Sequence, residues 1–293
     1  MATLGISIVT DSCAHFSTPH FTQQVPITVV PFKMDIAGKT YREGVDISAE
    51  DALQLIAHQP TAPRVFPPSK NDYVEVFTRL ARHSEAIVSI HSSRKMYGSW
   101  DNAHAAAQGL MGHCEIAVID SQTLSAGQAM LVRLAGRAIE QEATLDDVVR
   151  VVRGAVERIY SVYYVETMDY LLQNKLMDSS HAILGTMLGV KPFLTMEHGL
   201  LVPMEKVRTR PQAIERLVEF VIEFTEIEDA VIAQHTAHIN EHTRTLQDRL
   251  AAEFPGRYFP HTIYGPSLAA LIGHNATGLV ILESPIEELD DDF

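Results

Sequence analysis

The sequence predicts an α/β protein made of two α/β domains, the first of which is a three-layer parallel sheet. Strand-like and helix-like segments alternate along most of the chain, as they do where helices connect parallel strands. Two apolar runs, Ile6–Thr10 and Ile116–Ile119, are rich in β-branched residues and are typical of buried parallel strands. Asp11-Ser12 follows the first run directly, and Asp120-Ser121 follows the second. Because ligands of open α/β sheets bind beyond the carboxyl ends of the strands, these pairs indicate where a site is expected.

The first domain is predicted to span residues 1–157. Ser48 and Ser69 are expected to cap helices, and Ala37–Tyr41 has the composition of a hairpin turn. The proline-rich stretch Pro60–Pro68 is not expected to form regular structure. The expected strands are Ile6–Thr10, Pro26–Phe32, Ala86–Ile90 and Ile116–Ile119, and the expected helices are one beginning at Ala49, Asp72–Arg82, Trp100–Met111, Gly127–Glu140 and Leu145–Ile159.

The second domain is predicted to span residues 158–293. No Gly/Ser-rich linker precedes it, so a tight junction is expected. His198-Gly199 is a plausible hairpin turn, and Met168–Gly189 is a mixture of helix and loop. The expected strands are Ser161–Val165, Val190–Thr195, Leu200–Pro203, Ala230–Ala233, Tyr258–Ile263 and Gly278–Leu282, and the expected helices are Pro211–Phe224 and Asn240–Phe254.

The composition limits the classes of partner. The 293-residue chain has a formal net charge of −14 and no long basic run, so a nucleic-acid partner is not expected. Its two cysteines, Cys13 and Cys114, suit a reducing compartment, and a cytoplasmic location is expected. No signal-peptide pattern is visible, and no apolar run reaches the roughly 20 residues of a membrane-spanning helix. The acidic segment 287–292 is expected to be a solvated tail.

Common motifs of cofactor-dependent and hydrolytic chemistry are missing. No glycine-rich phosphate-binding loop follows a strand, and neither H-E-x-x-H nor G-x-S-x-G occurs. His235, His238 and His242 have the spacing of metal ligands on one helical face. Because no acidic or cysteine partner stands beside them, solvent-facing imidazoles at a polar helix start are favoured, and neither a metal nor a cofactor is expected.

One polar segment, residues 90–100, has the chemistry of an anion site. It leaves a strand, is rich in hydroxyl groups and enters a helix, and helix N-termini bind anions. Ser92, Ser93 and Ser99 can donate to a carboxylate or phosphate, and Arg94 can form a bidentate pair. Ordinary capping by one serine accounts for the same pattern, so both interpretations stay open.

Several segments share their residues, order and spacing with one known family. They are Thr10–Ser12 (T-D-S), Val118–Ser121 followed by Ser125–Gly127 (the second D-S strand and helix start), Tyr163–Leu171 (the start of the second domain), Leu184–Pro192 (lG-x-lL-x-ikP), and His198-Gly199 followed by Lys206–Arg210 (dG and vRt). On these motifs the chain resembles the DegV family over most of its length.

The resemblance implies two α/β domains with a deep ligand channel between them, and a protein that binds a long-chain fatty acid. Some members of the family present the acyl carboxylate to a separate fatty acid kinase, which makes acyl phosphate for lipid synthesis. The resemblance therefore implies a binding subunit without chemistry of its own, whose partners are a fatty acid and a kinase catalytic subunit. Since each buried methylene contributes roughly 0.8 kcal/mol, a long apolar channel is sufficient for binding.

The head-group motifs of the family are only partly kept. The threonine of its T-S-Q-P-S motif, a carboxylate ligand, is replaced by Val65. After Ser93, two serines of its S-S-x-L-S-G-T motif are replaced by Arg94 and Tyr97. These changes predict a fatty-acid channel with a rebuilt head-group site, in which Arg94, Ser93 and Tyr97 take over from the lost hydroxyls.

Two further motifs complete the set of candidate residues. The arginine of the family's G-G-R-I motif is replaced by Leu176, and the H-x-G-P-G motif keeps only its histidine and final glycine. Since Asp11-Ser12 is kept while its surroundings change, the pair is expected mainly to hold its loop in shape. The candidate ligand-binding residues are Ser93, Arg94, Tyr97, Ser92, Ser99, Val65, Phe66, Thr10, Ser12 and His274, and Arg208 and Lys175 are expected to face a protein partner.

Two other functions remain open from the residues. The chain can be an enzyme for a small acidic substrate, with Asp11, His274 and Arg208 as the polar groups of the cleft. It can also be a degenerate relative whose channel is filled by bulky side chains such as Phe66 and Trp100, and which acts through protein contacts alone.

Overall fold

The computed structural model describes residues 5–17, 26–177 and 189–285. The strands of the first half are β1 (Ile6–Asp11), β2 (Ile27–Val30), β3 (Lys33–Ile36), β4 (Lys39–Arg42), β5 (Arg64–Phe66), β6 (Ala86–His91) and β7 (Glu115–Asp120). Its helices are α1 (Ala49–Ala57), α2 (Lys70–Leu80), α3 (Ser99–Gln108), α4 (Ala126–Glu140) and α5 (Leu145–Val156). Ser48 and Ser69 cap α1 and α2, as predicted.

The first half contains a parallel sheet between two layers of helices. The strands have the order β2-β1-β6-β7, and every neighbouring pair is parallel. Helices α2 and α3 cover one face, where Tyr73 and Phe77 pack with Ile87. Helices α4 and α5 cover the other face, where Leu131 and Val152 join the core. The predicted three-layer parallel architecture is confirmed.

A second, antiparallel sheet has the order β4-β3-β5. Two predictions are adjusted in this region. The strand expected over Pro26–Phe32 is β2, which ends at Val30 because Pro31 has no N–H to continue the ladder, and β3 of the second sheet begins at Lys33. The stretch Pro60–Pro68 contains β5, since its prolines flank the three residues that pair with Lys33–Asp35.

The second half contains a six-stranded mixed sheet. Its strands are β8 (Ile159–Val165), β9 (Lys191–Glu197), β10 (Leu200–Val207), β11 (Ile227–Gln234), β12 (His261–Ile263) and β13 (Ala276–Glu283). Its helices are α6 (Asp169–Gln173), α7 (Arg210–Ile222), α8 (Glu241–Glu253) and α9 (Pro266–Ile272). The strand order is β10-β9-β8-β13-β11-β12, with β11 and β12 parallel and the other pairs antiparallel.

Some further elements of both halves differ from expectation. Helix α5 ends at Val156 rather than continuing to Ile159, where β8 begins. Helix α9 was not predicted, because all seven of its residues are buried and the segment has no polar face to reveal a helical period. Most of the Leu184–Pro192 motif and the acidic tail lie outside the described residues. Within the described ranges, no helix has both the length and the apolar character needed to cross a bilayer.

The two halves share one hydrophobic core. Phe32 and Met34 of the first half belong to the same buried cluster as Tyr163 and Leu268 of the second. The connection between α5 and β8 is only two residues long, 157 and 158. The predicted domain boundary lies in this connection and stays a prediction, while the common core explains why α9 can be apolar on every side.

Candidate functional site

The first Asp-Ser pair begins a fully buried polar network. His91 Nδ1 lies 3.1 Å from Asp11 Oδ2, and Gln128 Nε2 donates to Asp11 Oδ1 at 3.0 Å. The backbone N–H and the hydroxyl of Ser92 also donate to Asp11 Oδ2. Burial on its own raises the pKa of Asp11, but the hydrogen bonds and charge of His91, with those of Gln128 and Ser92, outweigh it and lower the pKa.

The network continues away from Asp11 through hydroxyl groups. Ser89 Oγ lies 2.6 Å from His91 Nε2, and the Tyr73 hydroxyl lies 3.2 Å from His91 Nδ1. Ser99 Oγ lies 2.6 Å from the same Tyr73 hydroxyl. Ser92 and Ser99, both predicted as ligand donors, are therefore internal members of this network and are fully buried.

Thr10 and Ser12 are also engaged by protein atoms. The Thr10 hydroxyl donates to the carbonyl of Ile90 at 2.8 Å. The Ser12 hydroxyl donates to Glu43 Oε2 at 2.7 Å, and it accepts the backbone N–H of Phe32 at 2.9 Å. Both side chains were predicted as ligand-binding residues, and both are hydrogen-bonded to protein atoms at the end of β1.

Glu43 connects the two halves of the molecule. Its Oε1 accepts from the backbone N–H of Ser267 at 3.2 Å and from the Ser267 hydroxyl at 3.0 Å, at the start of α9. His15 Nε2 lies 3.6 Å from the same oxygen. The carboxylate is buried and receives hydrogen bonds from Ser12 in one half and Ser267 in the other, so it joins the strand end to α9.

Ser93 and Tyr97 make two further connections between the halves. The Ser93 hydroxyl donates to the carbonyl of Gly199 at 2.5 Å, at the turn between β9 and β10. The Tyr97 hydroxyl donates to the carbonyl of Ser267 at 2.6 Å. Burial raises the pKa of Tyr97 well above its usual value, so the hydroxyl remains a donor at neutral pH. The hydroxyl hydrogens of Ser93 and Tyr97 are thus already used in bonds to protein carbonyls.

Arg94 lies outside this buried cluster. Its guanidinium pairs with Asp101 at 2.8 Å and lies 4.4 Å from the centre of the Trp100 ring. Its side chain is 54% exposed. The structure does not bring Arg94 together with Ser93 and Tyr97, whose side chains are buried and bonded to other partners.

A cavity of about 640 Å³ lies between the two halves. The first half contributes the segment around β5 and residues 95–98, and the second half contributes parts of α6, β10 and α9. Of the predicted ligand residues, Val65, Phe66 and Tyr97 line it. The larger apolar side chains of the wall are Val65, Phe66, Met96, Leu176, Leu200 and Leu271. Phe66 and Leu200 are 44% and 41% exposed, so the apolar surface reaches the entrance.

Two cations that the sequence reasoning missed also line this cavity, Arg64 and Lys95. Both are exposed, and among the described residues neither has an acidic partner within ion-pair distance. No Asp or Glu belongs to the described lining. The sequence does carry a signal for both, since Lys95 stands beside Arg94 in the polar segment 90–100 and Arg64 directly precedes Val65.

The remaining candidates are dispersed. His274 lies beside Tyr170, with ring centres 6.3 Å apart, while the imidazole that contacts Asp11 belongs to His91. Burial and then the charge of His58 lower the pKa of His274, which favours a neutral ring at pH 7. Arg208 and Lys175 are exposed. No group of three or more metal-ligating side chains comes together within the part of the chain that the structure describes.

Comparisons with known proteins agree with this fold. A family model described as "Uncharacterised protein, DegV family" matches residues 5–284. Protein DegV of Bacillus subtilis is 25% identical over 281 residues, covering 94% of this chain and 98% of that protein. A DegV domain-containing protein of Caldanaerobacter subterraneus is 29% identical over 282 residues, covering 95% and 99%.

Solved structures show the same architecture. A fatty acid binding DegV family protein from Streptococcus agalactiae superposes with a TM-score of 0.86 at 23% identity, covering 96% of this chain and all of that one. A fatty-acid-binding DegV family protein from Thermus thermophilus gives 0.83 at 23% identity, covering 95% and 99%. At this identity the superpositions establish the fold, and the family model covers nearly the whole sequence. The chain belongs to the DegV family.

Proposed function

We propose that this protein binds a long-chain fatty acid in the cavity between its two halves and acts as a carrier for it. The observation that supports the proposal most directly is the cavity itself, which has one apolar wall and two cations that lack an acidic partner among the described residues. Its volume of about 640 Å³ falls within the roughly 300–1,000 Å³ of ligand pockets. The proteins from Streptococcus agalactiae and Thermus thermophilus, which share the fold, are described as fatty-acid-binding.

The acyl chain is assigned to the apolar wall. Met96 comes from the first half, and Leu176 and Leu271 come from the second, so a chain lying in the cavity contacts both. Each methylene removed from water contributes roughly 0.8 kcal/mol. Burial of part of a long chain is therefore enough for binding, and no covalent step is required.

The carboxylate is assigned to Lys95 and Arg64. The hydroxyls of Ser93 and Tyr97 already donate to carbonyl groups, and Arg94 is paired with Asp101. Charge-assisted hydrogen bonds from an ammonium or guanidinium group are roughly twice as strong as neutral ones. The rebuilt head-group site expected from the sequence is therefore proposed again, with Lys95 and Arg64 in place of Arg94.

The proposal assigns no catalysis to this chain. Ser89, His91 and Asp11 are hydrogen-bonded in the order of a nucleophile triad, but all three side chains are fully buried. A substrate cannot reach the Ser89 hydroxyl without local unfolding. We assign the chemical step to a separate fatty acid kinase, with the exposed Lys175 and Arg208 facing that partner. Lys175→Glu is then expected to slow phosphoryl transfer to the bound acid without changing its affinity.

The central experiment identifies what the purified protein carries. The protein is denatured and extracted into organic solvent, and the extract is measured by mass spectrometry, before and after incubation with palmitate. A fatty acid at a ratio near one per chain supports the proposal. A clean extract combined with no palmitate uptake contradicts it, and favours a small-acid enzyme or a degenerate relative.

A matched pair of variants tests whether the fatty acid binds in this cavity. Leu200 and Met204 are exposed apolar residues of β10, but of the two only Leu200 is among the described residues that line the cavity. Leu200→Trp is expected to reduce palmitate uptake at least several-fold, because the larger ring fills the entrance. Met204→Trp is expected to leave uptake unchanged. Equal behaviour of the two variants would show that the ligand lies elsewhere.

A further inference from the structure

The described lining of the cavity between the two halves carries two positive charges and no negative one. Arg64 lies in β5, and Lys95 lies in the loop between β6 and α3. Among the described residues, both lack acidic partners, although the chain as a whole has a formal charge of −14. Two uncompensated cations at one cavity in an acidic protein favour the binding of a negatively charged ligand group at that place.

Of the three neutral donor side chains in the described lining, Tyr97, Gln173 and Asn174, two are already occupied. The Tyr97 hydroxyl donates to the carbonyl of Ser267. The side-chain amide of Asn174 donates to the carbonyls of Tyr170 and Ala270, at 2.8 and 2.7 Å. This cavity is therefore expected to recognise a head group mainly by its charge. A site built of neutral hydroxyl donors would instead suit a single carboxylate.

We infer that this chain selects a dianionic head group of the phosphate-monoester class, attached to a long apolar chain, and that Arg64 and Lys95 are the residues that select it. The inference rests on the proposed function, since it keeps the same cavity and the same acyl wall. It adds that the single negative charge of a carboxylate neutralises only one of the two positive charges.

The chemistry of the two side chains fits such a head group. A phosphate monoester carries a charge of roughly −1.5 to −2 at pH 7 and offers three acceptor oxygens. The planar guanidinium of Arg64 can bind two of these oxygens in parallel, and the ammonium of Lys95 can act as a point charge on the third. The phosphate can be attached directly to the chain, or it can belong to a lysolipid with a glycerol spacer.

The experiment compares ligands that share a sixteen-carbon chain and differ in head group. Dissociation constants of the full-length protein are measured at pH 7.5 by displacement of a fluorescent fatty acid, below the micellar concentration of each ligand. The ligands are palmitate, hexadecyl sulfate, hexadecyl phosphate and 1-palmitoyl lysophosphatidate. We expect at least one of the two phosphates to bind tenfold or more tightly than palmitate and hexadecyl sulfate, and the tighter phosphate identifies the source.

Variants of the two cations, and measurements at a lower pH, test whether Arg64 and Lys95 cause the phosphate preference. Lys95→Met and Arg64→Met should each weaken phosphate binding about tenfold and palmitate binding less. Lys206→Met, an exposed lysine of β10 outside the described lining, should change neither. At pH 5 the phosphate is largely a monoanion, because its second pKa is about 6, so the preference should shrink to a few-fold.

Two negative results have different meanings. Equal affinity for palmitate, hexadecyl sulfate and both phosphates overturns the inference and leaves fatty-acid binding intact. Absence of binding by all four ligands overturns the proposed function together with the inference. A phosphate preference that survives both cation variants also overturns the inference, because the selecting residues then lie elsewhere.

Discussion

His91 Nδ1 lies 3.1 Å from Asp11 Oδ2, and neither side chain has any solvent exposure. The pair connects β1 to β6, which are neighbours in the parallel sheet. Its outer partners, Ser89 on one side and Gln128 on the other, are buried as well. The signature Asp11 of the family motif therefore acts in this chain as an internal support of the strand ends.

Asp11→Ala is expected to lower the free energy of unfolding by about 3–5 kcal/mol, the cost of removing one partner of a buried pair. His91 and the N–H of Ser92 lose their common acceptor. Urea denaturation at pH 7 measures the change. Asp46→Ala, which removes an exposed partner of Arg42, is the control and should hardly move the urea midpoint. Equal effects of the two variants would contradict the role given to Asp11.

The lowered pKa of Asp11 predicts a dependence of stability on pH. A carboxyl group whose folded pKa lies below its unfolded value of about 3.9 contributes stability above that value, and the contribution is lost as pH falls through the folded pKa. The difference in unfolding free energy between the wild type and Asp11→Asn should be constant from pH 7 to about 5 and shrink below about pH 4. A difference that stays constant down to pH 2.5 would show that the ionised form is not favoured by folding.

A side chain at Gly265 is expected to destabilise the fold, because His15 occupies the space that it would need. A Cβ at Gly265 would overlap His15 Nε2 and would lie 2.5 Å from Glu43 Oε1. Gly265→Ala should cost about 1–3 kcal/mol, as overpacking of a buried site does. His15→Ala removes the nearest obstacle, so the double variant should be less destabilised than the sum of the single variants. Additive effects within 0.3 kcal/mol, the usual result for independent sites, would contradict the contact.

Tyr97→Phe separates a structural role from a ligand-binding role. The variant loses the hydrogen bond to the carbonyl of Ser267, and should lose about 1 kcal/mol of stability. Palmitate affinity should remain within twofold of the wild type, because the hydroxyl is directed at Ser267 rather than the cavity ligand. A tenfold loss of affinity with unchanged stability would instead support the ligand role that the sequence predicted for Tyr97.

The parallel sheet could be predicted from the sequence because its signal is local. β1 and β7 are short β-branched runs that end in Asp-Ser, and β6 is buried at every position. β5 gives no such signal, since its three residues stand between prolines and become a strand only by pairing with β3. Helix α9 was missed because a helix that is buried on every side has no amphipathic period.

Residue type was enough to predict the candidate site residues. It was not enough to predict their roles, because each role depends on which atoms the side chain contacts in the folded chain. Ser93 and Tyr97 have suitable hydroxyls, but their hydrogens point to Gly199 and Ser267, which are more than 100 residues away in sequence. Asp101 and Trp100 engage Arg94 within its own local segment. Lys95 faces the cavity, although nothing in the order of residues distinguishes it from Arg94.

The hydrogen bond from Ser93 to the carbonyl of Gly199 has a kinetic consequence. Leu200 follows Gly199 directly and forms part of the cavity wall, so this wall is fastened to the opposite half of the molecule. Any motion of this turn that widens the cavity at Leu200 has to break that bond. The proposed ligand does not make this contact, so the contact can slow the ligand's dissociation without any gain in the ligand's own contacts.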